Sequence, residues 1–234
     1  MKLSDRLETI LSVMEKGETL LDVGCDHGYL GIEAVRRGIV KEAICSDVRK
    51  GPLERAKAHI MEAGLGEKIE LRLVSGMNGF GRGEADLVVI AGMGGMLMGQ
   101  ILETAWADPE NGVHELHQMI LEPQSDLPFF RELIRRSPMK IRDEILVQDR
   151  RKWYFIFDVC PKDSVKAQEE EDSFFSFSLL RRKDCLYRQY LEKVLQKSES
   201  LLTSMTEEGE NLKLRKKELL TENEKIREVI DQWY

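Results

Sequence analysis

A chain of 234 residues can hold one α/β core of nucleotide-binding size plus a smaller appendage. No apolar run reaches membrane-spanning length and no signal-peptide pattern follows Met1, so a cytoplasmic protein without membrane contact is expected. The net charge of −7 argues against indiscriminate nucleic-acid binding, though not against a local basic face, and the four cysteines form no Cys-x-x-Cys pair, so reduced thiols are expected.

Short apolar segments at 19–24, 43–48, 69–74, 85–91 and 118–122 read as strands, with helical patterns at 28–37, 52–63, 95–104 and 127–136. That alternation predicts a parallel sheet covered by helices on both faces. Segments 141–147 and 153–159, joined by the polar stretch 148–152, then read as an antiparallel hairpin. Five parallel strands finished by a hairpin suit the seven-stranded methyltransferase sheet better than the all-parallel dehydrogenase sheet. After Cys160 the composition changes: 161–172 is polar and acidic, a linker or helix start. Leu191, Ser198, Met205, Leu212, Leu219, Ile226 and Trp233 then recur every seven residues, with Val194, Leu201 and Val229 near the complementary positions. A break at 207–211 around Gly209 splits this stretch, which predicts two antiparallel helices in a coiled-coil hairpin. The expected domains are 1–161 and 162–234.

The most informative stretch is Asp22-Val-Gly-Cys-Asp-His-Gly-Tyr-Leu30, where an apolar strand runs into an acidic, glycine-bearing turn. Gly24 and Gly28 let backbone approach a ligand where a Cβ would clash. Asp22 and Asp26 would repel a pyrophosphate but attract a ligand carrying an amine and a sulfonium, so the turn favours S-adenosylmethionine over a dinucleotide. The plainer alternative is an ordinary tight strand-to-helix loop. Asp47, about twenty residues on at a strand end, can accept both ribose hydroxyls of an adenosine-containing cofactor; otherwise it caps the next helix. Ser75, Gly76 and Met77 close the third strand, where an adenine edge and ring could be held, or Met77 is core filler. Gly92, Met93, Gly94 and Gly95 follow the fourth strand. They either open a pocket floor for a flat ring or merely start a helix. An adenine N1 carries an in-plane lone pair and so needs positioning more than deprotonation. Asp26, His27 and Tyr29 cluster at the same mouth. Asp26 could stabilise a base as it becomes cationic while Tyr29 stacks on it; alternatively Asp26 only binds cofactor, His27 caps the helix and Tyr29 is core.

His114 and His117 lack metal-site spacing and a third ligand, so no metal is expected. Basic groups gather at Arg36 and Arg37, at Arg131, Arg135 and Arg136, at Arg150, Arg151 and Lys152, and at Arg181, Arg182 and Lys183. Some flank Trp153 or Tyr187, the cation-plus-aromatic mixture of structured RNA binders; a solvated face is the plain reading.

Asp22-Val-Gly-Cys-Asp-His-Gly-Tyr-Leu30, Gly51-Pro52, Gly83-Glu-Ala-Asp86 and Ile90-Ala-Gly-Met-Gly-Gly95 together resemble the bacterial tRNA N1-methyltransferases that act on adenosine 22, the TrmK type. The resemblance covers nearly the whole chain. It implies an α/β, Rossmann-like seven-stranded class I methyltransferase domain with a C-terminal α-helical coiled coil, S-adenosyl-L-methionine as donor and tRNA as partner; a monomer is expected. By position it implies Asp22, Gly24, Asp26 and His27 in the first cofactor motif, Asp47 on the ribose, and Gly92 to Gly95 on the substrate side. Glu122 and, from the basic clusters, Arg150 and Arg151 are further expected substrate contacts. The chain departs from the family pattern at Val74-Ser75-Gly76, where Gly-Asp-Gly is usual, and at Leu121-Glu122-Pro123-Gln124, where Leu-Gln-Pro-Asn is usual. The alternatives are a methyltransferase acting on rRNA, protein or a small molecule, and a non-catalytic adaptor with a vestigial pocket.

Overall fold

The computed structural model describes residues 3–162, 173–205 and 209–234. Ser4 opens a helix that the sequence reading did not include, α1 (Asp5–Val13), by accepting a hydrogen bond from the Leu7 N–H; Ile10 and Leu11 form its buried face. The apolar segments form β1 (Thr19–Val23), β2 (Glu42–Asp47), β3 (Ile69–Leu73), β4 (Leu87–Met93) and β5 (Gln118–Pro123), parallel wherever they pair. Helices α2 (Tyr29–Arg36), α3 (Lys50–Glu62), α4 (Gly95–Ala107) and α5 (Leu127–Arg136) follow β1, β2, β4 and β5. β6 (Met139–Asp149) and β7 (Lys152–Pro161) form the hairpin, with β7 inserted antiparallel between β5 and β6.

The sheet order is β3-β2-β1-β4-β5-β7-β6. The chain reverses direction across the sheet between β1 and β4, and a crevice opens there at the carboxyl ends. One continuous core lies beneath it. Leu20, Leu87, Val89 and Ile120 meet Ile10, Ile32, Ala34, Ala56 and Ile60 with no more than a few per cent exposure.

Three local expectations change. β4 continues to Met93 through a register shift between Ala91 and Met93, because Gly92 adopts φ 82° and gives its N–H to a side chain. The hairpin arms are longer than expected, and the turn shrinks to Arg150 and Arg151, both at positive φ (48° and 67°). Arg131 is no surface cation. It is 4% exposed and forks onto the fully buried Glu144 at 2.9 Å through both Nε and Nη2.

The chain divides into two compact units, one ending at Phe175 and the other spanning Ser176–Tyr234. The junction expected at 161/162 borders residues 163–172, which, with most of the expected linker, lie outside the described residues. The second unit holds α6 (Phe177–Arg181), α7 (Cys185–Ser204) and α8 (Glu210–Trp233). Asp184 caps α7 through the Leu186 and Tyr187 N–H groups. The Tyr234 hydroxyl donates to the Asp184 carbonyl at 3.0 Å and Arg227 pairs with Glu199 at 2.6 Å, so α8 returns along α7. Of the residues at the seven-residue spacing, Leu191, Leu219 and Ile226 are buried. Leu201 and Leu212 stay 47% and 43% exposed, since they lie in the turns bordering the break, where a helix pair has fewest neighbours. Among the described residues no helix is long and apolar enough to cross a membrane, and no cluster of side chains could hold a metal ion.

Candidate active site

A cavity of about 670 Å³ lies over the carboxyl ends of β1, β2, β3 and β4. Its first wall is the turn after β1. The Gly24 and Cys25 N–H groups both donate to the Ser46 carbonyl, at 2.8 and 2.9 Å, which clamps the turn to β2. Gly24 has φ 74°, a conformation strained for any residue with a side chain, and a Cβ there would displace the Met93 methyl group. Gly28, at φ 71°, begins α2 without a side-chain cap, so His27 is not the helix cap.

Asp22 is 3% exposed, and its Oδ2 has no hydrogen-bond partner. Burial pushes its carboxyl up to about 7; the Gly31 N–H pulls the other way and the Asp47 charge adds to the rise. Asp47, 5% exposed, accepts from the Arg49 N–H through Oδ1 at 2.9 Å. The N-cap position of α3 belongs to Arg49, so the capping alternative for Asp47 does not apply. Both aspartates line the cavity.

Asp26, at φ 47°, is exposed and pairs with Arg55 at 3.0 Å and with His27 Nε2 at 3.5 Å. The His27 and Tyr29 rings stack at 5.3 Å, and Tyr29 stacks on His59 at 4.9 Å. Asp26, His27 and Tyr29 therefore share one rim of the cavity.

Ser75 and Gly76 line the far wall, whereas Met77 is 2% exposed and outside it, with its carbonyl held by Asn111 Nδ2. Gly92 and Met93 line the wall at the end of β4. Gly94 and Gly95 do not; they start α4, where a Cβ on Gly95 would collide with the Ser125 carbonyl. Glu122 is fully buried behind the wall. Its Oε2 accepts from Arg6 Nη1 at 2.6 Å and from the Gly92 N–H at 2.9 Å, and its Oε1 has no partner. Burial raises its carboxyl above the ordinary range against the pull of Arg6.

Arg150 and Arg151 are not on the cavity wall. Leu121 pairs with Phe157, so by the same register Tyr154 is level with Gln124 and the hairpin overhangs the end of β5. The overhang, residues 152–154, is about 10 Å long. Arg6 stands 5.3 Å over the Tyr154 ring and also lines the cavity, which ties the hairpin base to the pocket. Arg150, Arg151 and Lys152 form no ion pair among the described residues, whereas Arg36, Arg37, Arg135 and Arg136 do.

Arg6 is a cavity residue absent from the sequence reading, and Gln124 entered that reading only as a departure from the family pattern, with no role assigned. Arg6 could have been found, since Ser4 followed by apolar residues at 7, 10, 11 and 14 is an amphipathic helix start.

A family model described as a methyltransferase domain matches residues 3–157. The Bacillus subtilis tRNA (adenine(22)-N(1))-methyltransferase is 30% identical, over 99% of this chain and 98% of that protein. The chain belongs to the tRNA (adenine(22)-N1)-methyltransferase family. Among solved members, Streptococcus pneumoniae Sp1610 in complex with S-adenosyl-L-methionine is 30% identical, with a TM-score of 0.85 over 98% of this chain and 100% of that one. The B. subtilis m1A22 tRNA methyltransferase TrmK superposes with a TM-score of 0.79 at 27% identity, over 98% of this chain and 99% of that one. The family likeness thus extends over both compact units, not the sheet domain alone.

Proposed function

We infer that this protein transfers a methyl group from S-adenosyl-L-methionine to N1 of adenine 22 in tRNA. The observation that carries the reading is the buried, unpartnered Asp22 carboxylate oxygen beside the bare Gly24 turn, in a cavity whose second buried acid is Asp47. An anionic pocket with an orphaned acceptor fits a cationic ligand with an ammonium group and a ribose. S-adenosylmethionine, when bound, supplies a methyl group on a sulfonium sulfur, which the N1 lone pair displaces as the C–S electron pair leaves on sulfur.

Asp22, Gly24, Asp26 and His27 would surround the methionyl part and Asp47 the ribose. Ser75 and Gly76 would meet the adenine edge, with Met77 packed behind them and Gly92 opening the floor. Met93 would contact the target base, while Gly94 and Gly95 fix the loop and Glu122 holds Gly92 from behind. Asp26 would stabilise the positive charge that develops on the base, and Tyr29, clustered with the His27 and His59 rings at the rim, would offer its ring to it. Catalysis belongs to residues 1–161 and tRNA shape recognition to 162–234, with α7 and α8 as a coiled-coil hairpin. Their buried Leu191, Leu219 and Ile226 support that last assignment. Arg150 and Arg151 would hold tRNA phosphates beside the cavity. The enzyme acts as a monomer in the cytoplasm.

Incubating an unmodified tRNA transcript with the protein and S-adenosylmethionine, then mapping the product by mass spectrometry, tests the reading. One methyl group on N1 of adenine 22 is expected; none, or one on another base, would sink it.

A further inference from the structure

The wall between the ends of β4 and β5 has a polar group with no role in the chemistry described so far. Gln124 is exposed on the cavity wall, and its side-chain amide makes no hydrogen bond among the described residues. Its backbone is fixed. The Gln124 N–H donates to the Met93 carbonyl at 2.8 Å, and Pro123 precedes it. A Cβ on Gly92 would stand 3.9 Å from Gln124 Nε2 and 3.5 Å from Arg6 Nη1, so the amide borders the bare patch left by Gly92.

Other polar groups at this end of the wall are spent or of the wrong kind. Arg6 only donates, and its Nη1 is engaged by Glu122. Ser125 Oγ donates to Asp126 and accepts from the Gly95 N–H. Gln124 offers a donor and an acceptor side by side, the arrangement that matches adenine N7 and N6–H₂. The same amide placed on the Watson–Crick edge would give its N–H to N1 and occupy the lone pair that must be methylated. Only pairing on the opposite edge leaves N1 free.

We propose that Gln124 is the base-reading residue: its carboxamide pairs with N7 and N6–H₂ of the target adenine, so that N1 faces the donor half of the cavity. The inference rests on the methyltransferase reading. Guanine, with O6 in place of the amino group, would set two acceptors against the amide and lose one of the two bonds. Cytosine and uracil have no N7 to accept from it.

The test uses full-length protein and tRNA carrying either adenine or 7-deazaadenine at position 22. The wild type should fall about tenfold in kcat/KM on the 7-deaza RNA, the worth of one hydrogen bond to a base edge. Gln124→Ala should fall about tenfold on adenine and then show no penalty on the 7-deaza RNA, which it should methylate at least as fast. S-adenosylmethionine affinity, read by calorimetry, should be equal in both proteins. Replacing N7 by C–H enriches the ring in electrons, so reactivity alone would make the 7-deaza RNA the better substrate. Equal or faster methylation of that RNA by the wild type would overturn the proposal, as would an undiminished 7-deaza penalty in Gln124→Ala. If the wild type methylates neither RNA, the methyltransferase reading falls and this inference with it.

Discussion

Asp22 occupies a place where a charge is costly unless something positive lies opposite. Its carboxyl is pushed up to about 7, against 3.8 for an unperturbed aspartate. The folded state therefore binds this proton more tightly than the unfolded state does. Its contribution to stability is present below the unfolded value and is lost as pH rises through about 7. A cationic ligand reverses the preference and favours the ionised form. Calorimetric titration with S-adenosylmethionine should show affinity rising by up to about tenfold per pH unit below 7 and levelling off above it. Asp22→Asn should bind more weakly and with a flat profile in that range. A wild-type affinity that stays constant on both sides of pH 7 would remove Asp22 from the donor site.

At the scale of elements, an ion pair ties α1 to the cavity wall at the end of β4. Arg6 reaches from α1 to Glu122 at the end of β5, and Glu122 in turn holds the Gly92 N–H of β4. Removing the cation leaves a buried carboxylate without its partner. Arg6→Ala should destabilise the fold by about 2–3 kcal/mol, less than for a fully dry pair because Arg6 is 23% exposed. Adding Glu122→Gln should recover most of the loss in urea unfolding, and no recovery would mean that Arg6 acts through packing alone. This network also marks where the sequence stopped being informative. β1, β2 and β5 were legible because each is a short apolar run, and α5 because its charges and apolar residues separate by face. The acidic turn after β1 was legible for the same local reason. Partners far apart in sequence were not: Arg6 and Glu122 are separated by 116 positions, and Arg131, 13 residues from Glu144, looked like one more surface cation. Gly92 looked like a pocket floor or a helix start, not part of a strand, because nothing local shows a side chain accepting its N–H.

For the molecule as a whole, a net charge of −7 must be reconciled with a polyanionic substrate. Paired arginines contribute little outward field, so cations without acidic partners count for more. Arg150 and Arg151 are such a pair, held in a left-handed conformation that glycine would adopt without strain. Replacing both by glycine should raise unfolding stability by about 1–2 kcal/mol while weakening tRNA binding, a divergence expected where strain serves function. The slope of log affinity against log salt should become shallower by about 0.7–0.9 for each phosphate that the hairpin tip no longer neutralises. An unchanged slope would place the RNA elsewhere.

The Met93 methyl group lies against Gly24, where the turn after β1 meets the end of β4 on the cavity wall. With the donor against Gly24 and the target base against Met93, as proposed, whatever fills one side would narrow the rotamers left to that side chain, and thereby the room on the other. The two ligands would then be mechanically aware of each other before any bond is exchanged.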